Sequence, residues 1–414
     1  MKVLLSAIAC NPYLGSECYV GWTAIKALAR DHELWVLTSR RNTGVFQRAG
    51  EEGLVPGNVH FVYAGEFAEW HPNRLRARLQ DWREYAQFSK AILPVARQLH
   101  AAVKFDVMHH VTYTTWRVAL PLGSLGIPFV LGPIGGYEQF PWRMFPILSP
   151  AAGAFELARM ASNLVSRISP NVRRCLRKAD QVFVANPETE RLVKALRGSR
   201  PGVAQLSAAF YSPGQVQAFA RFVSGKDVAG PLRLFAAGNL EGRKGVALAL
   251  AALAEVKKSG VKFQYWIRSQ GPEFAHLKQL TGQLGLQAEV CFADGLRGEA
   301  YQRELGATHI FLLPSFREGA GLTMMEAMLA GAVPVVADCG GPGMIVTPDC
   351  GCKIPVARRR RMVRELAEAI IGLDRNRPLL AEKGRAASAR IASHFSEENY
   401  RTAINSAYQA ILNS

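Results

Sequence analysis

No apolar run in this 414-residue chain approaches the roughly 20 residues a helix needs to cross a bilayer, so no membrane-spanning helix is expected. Paired cysteine spacing is also missing. Cys10, Cys18, Cys175, Cys291, Cys339, Cys350 and Cys352 are odd in number, irregular in spacing and mostly in apolar surroundings, which fits reduced thiols in a cytoplasmic protein. Cys350 and Cys352 stand too close together, with no second pair, to make a zinc centre, and no metal is expected. The start, MKVLLSAIAC, has too few basic and apolar residues for a signal peptide and reads as a first buried strand. Acid is the scarce charge: 33 Asp and Glu face 50 Lys and Arg, for a net charge of +17. Such a surplus marks an anionic partner, whether nucleic acid, an acidic membrane surface or a phosphorylated substrate. Basic-aromatic motifs of nucleic-acid modules are absent, so nucleic acid is not expected.

The rest of the chain is organised around residues 315–331, SFREGAGLTMMEAMLAG. Thr323 and Glu326 have capping-box spacing, which predicts a helix opening there, running to Leu329 and stopped by Gly331. THIFLLP (308–314) before it and AVPVVAD (332–338) after it read as buried strands. A strand, a glycine-rich turn and a helix N-terminus converge unpaired N–H groups and the positive end of the helix dipole on one point, which suits phosphate. Two acids beside such a turn are compatible with an anion if they accept hydrogen bonds from sugar hydroxyls. The chemistry suggested is phosphate plus sugar, hence a nucleotide sugar.

Along the chain, strand, turn, helix and strand alternate twice. Residues 2–9 and 33–39 frame a turn with Gly15 and Ser16 and a helix at 20–28, the opening of a doubly wound α/β domain. FDVMHHVTY (105–113) reads as a strand with His109 and His110 at its carboxyl end, and IPFVLGPIGG (127–136) as another. Residues 72–104 and 156–178 are basic and helical, the second split at Pro170, and basic residues around an apolar stripe suit anionic lipid headgroups. A first domain over 1–207, an irregular linker over 208–230, a second doubly wound domain over 231–395 and a final helix over 396–414 that crosses back to the first domain are expected.

Residues 315–331 resemble the Glu-x7-Glu motif of retaining glycosyltransferases of the GT-B fold in family 4 (group 1), polysaccharide-building members among them. GNLEGRKG (238–245) resembles that family's second motif, with Gly238, Leu240, Lys244 and Gly245 in place and Asn239 where an arginine is usual. The resemblance implies two Rossmann-like domains facing across a cleft. It puts Glu318 and a histidine, His110 or His109, by the donor sugar, Gly319, Ala320, Gly321 and Leu322 on the diphosphate, and Glu326 on the ribose. Lys244 would neutralise the diphosphate, Asn239 being only its neighbour, and Gly15 and Ser16 would approach from the opposite domain. Asparagine cannot imitate the arginine fork, a loss for which Arg243 is the candidate replacement. The base would lie near residues 268–271 and 295–297, and residues 339–346 would continue the pocket wall. The implied activity is transfer of a hexose-type sugar from a nucleoside diphosphate to a glycan or polyprenyl-linked acceptor, without cofactor or metal, in a cytoplasmic protein lying at the inner face of the membrane. A nucleotide-sugar epimerase or hydrolase on the same fold, and a non-catalytic binder of anionic polymers, stay open.

Overall fold

The computed structural model describes residues 1–65, 74–117, 119–226, 229–268, 270–293 and 298–413, and in the helix Arg74–Val103 the side chains of residues 74–83 are outside that description. Two parallel sheets carry the fold. The first contains β1 (Lys2–Ala7), β2 (Glu33–Ser39), β3 (Val59–Ala64), β4 (Val107–Thr112), β5 (Phe129–Ile134), β6 (Gln181–Val184) and β7 (Val203–Gln205), in the order β3-β2-β1-β4-β5-β6-β7. The second contains β8 (Leu232–Ala237), β9 (Phe263–Arg268), β10 (Val290–Ala293), β11 (Ile310–Leu312), β12 (Val333–Ala337) and β13 (Cys352–Ile354), in the order β10-β9-β8-β11-β12-β13.

Helices connect the parallel strands, so central strands are buried on both faces and read as continuous apolar runs. All six residues of β4 and all five of β12 are buried. Each sheet order reverses once, between β1 and β4 and again between β8 and β11. Loops leaving the carboxyl ends of strands diverge at such a point and open a crevice for ligands.

The chain divides into two compact units, Met1–Tyr137 with Ser162–Ala208 and Tyr400–Ser414, and Glu138–Ala161 with Ala209–Asn399. The division departs from the expected one in two places. Residues Glu138–Ala161 belong with the second unit, because Phe140 meets Phe316 edge-on at 5.2 Å and Ser149 donates to Glu273 at 2.5 Å. Residues 208–230 are not simply irregular: a helix, Pro213–Ala220, opens at a Ser212–Gln215 capping box, and Tyr211 and Phe219 are buried in the second unit's core. The last helix, Glu397–Leu412, starts with the second unit, and from Tyr400 onward it belongs with the first.

Candidate functional site

In the second unit the switch point supplies both sequence motifs. The turn after β8 leads through the short 3₁₀ segment Gly242–Lys244, and the turn after β11 carries Glu318. The Lys244 ammonium is buried and pairs directly with the Glu318 carboxylate. Arg243 adds its guanidinium 3.6 Å from the same oxygen, donates to the Arg317 carbonyl at 2.5 Å and pairs with Glu241 at 2.6 Å. Burial alone would raise the Glu318 carboxyl, but Lys244, Arg243 and Arg317 outweigh it and hold the group below its ordinary value. Asn239 donates to Glu241 at 2.8 Å, and the guanidinium beside Glu318 is that of Arg243.

The glycine-rich turn ends differently from the capping-box expectation. The helix is Leu322–Leu329, and its N-cap is Gly321, in the left-handed region at φ 70°, with no side-chain cap. Thr323 therefore sits inside the first turn. A glycine tolerates that backbone, whereas a threonine cap would need an extended one. Gly319 is exposed, and Ala320 and Leu322 are half-buried. Behind the turn, the Gly341 amide donates to the Glu318 carbonyl at 3.0 Å, and a Cβ on Gly341 would lie 1.5 Å from the Gly319 oxygen. The expected wall at residues 339–346 is thus packed against the turn, backbone on backbone.

Glu326 accepts a hydrogen bond from the Tyr301 hydroxyl at 2.6 Å, and the Arg268 guanidinium lies 4.3 Å from the Tyr301 ring centre. Burial pushes the Glu326 carboxyl up, with the Tyr301 bond and Arg268 opposing it in part, and burial with the Glu326 charge drives Tyr301 well above its usual range. Sequence reasoning missed Tyr301, since nothing in its local pattern distinguishes it from a packing residue. It also missed Glu156, whose carboxylate pairs with Arg317 at 2.7 Å from 161 positions away. Residues 295–297, expected near the base, lie outside the described residues.

In the first unit, Gly15 and Ser16 are exposed on the turn after β1. Ser16 holds φ at 59°, a costly backbone for a residue with a side chain. Glu17 accepts from the Thr114 hydroxyl at 2.9 Å, tying this turn to the exit of β4.

The histidines depart from expectation. They lie in the middle of β4 rather than at its end, and both are fully buried because β4 is flanked by β1 and β5 and covered on both faces. His109 donates from Nε2 to the Gly132 carbonyl at 2.7 Å and so accepts at Nδ1 from the Tyr408 hydroxyl, also at 2.7 Å. Burial lowers it to about 4, keeping that neutral tautomer. His110 bonds Ser6 at 3.1 Å, and burial lowers it to about 3. Neither ring presents surface to a ligand. Among the described residues, no three His, Cys, Asp or Glu side chains cluster as metal ligands.

Two Rossmann-like sheets with this strand order define an α/β protein of the GT-B fold. Residues 217–389, which hold the Lys244, Glu318 and Glu326 cluster, match the family described as Glycosyl transferases group 1. WcaL of Escherichia coli (strain K12), a glycosyltransferase assigned to colanic acid biosynthesis, is 28% identical over 194 residues, 45% of this chain and 47% of WcaL. The match thus spans about half the length of that relative. Among solved structures, a sucrose-phosphate synthase of Thermosynechococcus elongatus superposes with a TM-score of 0.67 at 16% identity, covering 100% of this chain and 99% of the other. HepE of Anabaena, solved with UDP and glucose, gives 0.61 at 16% identity, covering 99% and 100%.

Proposed function

We propose that the protein is a retaining glycosyltransferase that moves a hexose-type sugar from a nucleoside diphosphate to a glycan or lipid-linked acceptor during cell-surface polysaccharide synthesis. The observation that carries this reading is the buried Lys244–Glu318 pair at the switch point of the second sheet, inside the segment matching group 1 glycosyl transferases. When the sugar leaves, charge grows on the diphosphate. Lys244, Arg243 and the N–H groups opening the helix Leu322–Leu329 offer fixed positive potential for that charge. Glu318 holds the cations in place without donor and would accept sugar hydroxyls with it. Glu326, poised by Tyr301, would receive the ribose.

The test is a panel of nucleotide sugars screened by thermal shift and by product analysis with and without glycan acceptors. A donor raises the melting temperature by binding the native state. Transfer should persist in EDTA, since the proposed electrophilic groups are cationic side chains and backbone N–H groups. Lack of stabilisation by every donor, or donor hydrolysis with no acceptor product, would count against the proposal, the second outcome favouring a hydrolase.

The acceptor side we assign to an anionic membrane surface. Supporting this are Leu164, Val165 and Ile168, each at least 64% exposed on the helix Pro150–Ile168, followed by exposed Arg167, Arg174, Arg177 and Lys178. Flotation with vesicles rich in phosphatidylglycerol checks it. Retention of the Leu164→Glu, Ile168→Glu double variant on vesicles would refute the assignment.

A further inference from the structure

The second unit has a cavity of about 550 Å³ that the proposed transfer does not use. Its wall includes Arg221, Lys226, Arg233, Gln264, Arg303 and His309. Arg233, Gln264 and His309 sit at the amino ends of β8, β9 and β11, Arg221 and Lys226 on the segment leading into β8, and Arg303 on the helix Gly298–Ala307 that leads into β11. Lys244, Arg268 and Glu318 lie at or beyond the carboxyl ends of the same strands, so the cavity is at the opposite end of the sheet. Its volume falls within the range of small-ligand pockets.

Among the described residues, the charge there is unbalanced. Among the described residues, Arg233 alone of the four cationic side chains named has a carboxylate partner, Glu304, at 2.9 and 3.1 Å. Arg221 bonds the Gln302 amide oxygen at 3.2 Å, and Lys226 donates to the Thr308 carbonyl. Arg303 is exposed and makes no ion pair among the described residues. The Nε of Arg233 is buried with no hydrogen-bond partner, an unusual state for a guanidinium donor. Burial lowers the Lys226 ammonium to about 7, so holding its charge in this position is costly without an anion nearby. Like charges gathered around a concave surface are destabilising unless something of opposite sign enters.

We propose that this cavity binds a phosphorylated small molecule, of the size of a hexose monophosphate, at a site separate from the donor loops. Three forked guanidinium groups and an ammonium suit the oxygens of a phosphomonoester, and Gln264 offers a neutral partner for a hydroxyl. Arg303 also lies on the helix Gly298–Ala307, whose Tyr301 holds Glu326, so the two sites share one element.

The experiment is thermal shift and calorimetry with inorganic phosphate and a hexose 6-phosphate at constant ionic strength, set by sodium chloride. Wild type, Lys244→Ala and the Arg221→Glu, Arg303→Glu double variant are compared, the last carrying its changes on exposed side chains that folding tolerates. The expected result is saturable stabilisation of wild type and of Lys244→Ala, with affinity at least tenfold weaker in the double variant. Equal binding by the double variant, binding abolished by Lys244→Ala, or no stabilisation of wild type at millimolar ligand would each overturn the proposal.

Discussion

Exchanging Lys244 for methionine removes the ammonium while keeping most of the stem, and leaves Glu318 to Arg243 and the weaker influence of Arg317. The two partners are only 9% and 18% exposed, so solvent screens the pair weakly. At about 3 Å and an effective dielectric constant near 20, the direct attraction is about 5 kcal/mol before desolvation is subtracted. Stranding one member of a buried pair usually costs about 3–5 kcal/mol. Here Arg243 remains 3.6 Å from the same carboxylate, which should bring the loss down to about 1–3 kcal/mol. Urea denaturation of the donor-free protein measures it, with Lys244→Met, Glu318→Gln and the double variant forming a cycle. A coupling of about 1–2 kcal/mol is expected. Glu318 is held below its ordinary 4.5, so its contribution is fully present above that pH and is lost as pH falls through the lowered value; the stability gap between wild type and Glu318→Gln should close on acidification. Additive single-variant losses, within about 0.5 kcal/mol, would show that the contact carries no energy and that the site is not preassembled.

Two further predictions concern the neighbours of that pair. Glu326 titrates above its ordinary value, so its protonated form stabilises the fold at low pH and that contribution fades as pH rises through the raised value; Tyr301→Phe, which removes an opposing hydrogen bond, should move the loss to still higher pH. Comparison of stability–pH curves for the two proteins and for Glu326→Gln checks the direction. Gly341→Ala should destabilise by about 1–3 kcal/mol, because its Cβ would overlap the Gly319 carbonyl, whereas Gly319→Ala, with open space around it, should melt like wild type while weakening donor binding. Equal melting temperatures for the two alanine variants would contradict the packing described.

Much of the fold was legible because buried parallel strands announce themselves as apolar runs: 33–39 coincides with its predicted limits, and the last helix, Glu397–Leu412, falls inside the predicted 396–414. β7, three residues long and only partly buried, has no such run and was absorbed into the end of the first domain. The Lys244 and Glu318 turns were readable since each glycine-bearing turn follows a strand and precedes a helix. Their supports were not. Glu156 meets Arg317 across 161 residues, and no local pattern encodes a contact of that span. The histidines misled for a related reason. A pair at positions 109 and 110 suggests a strand end facing a ligand, but adjacent residues on a strand point to opposite faces, and in the centre of this sheet both faces are core.

The detour of residues 138–161 into the second unit has a practical bearing on dissection of the molecule. A fragment beginning at Ala209 would contain Lys244, Glu318 and Glu326, yet it would strip Arg317 of its carboxylate, take the Leu148 side chain off Gly242 and remove the ring that covers Phe316. Half of the chain that looks self-sufficient on paper is missing one of its own walls, and the excised piece is needed in trans before its affinity for a nucleotide means anything.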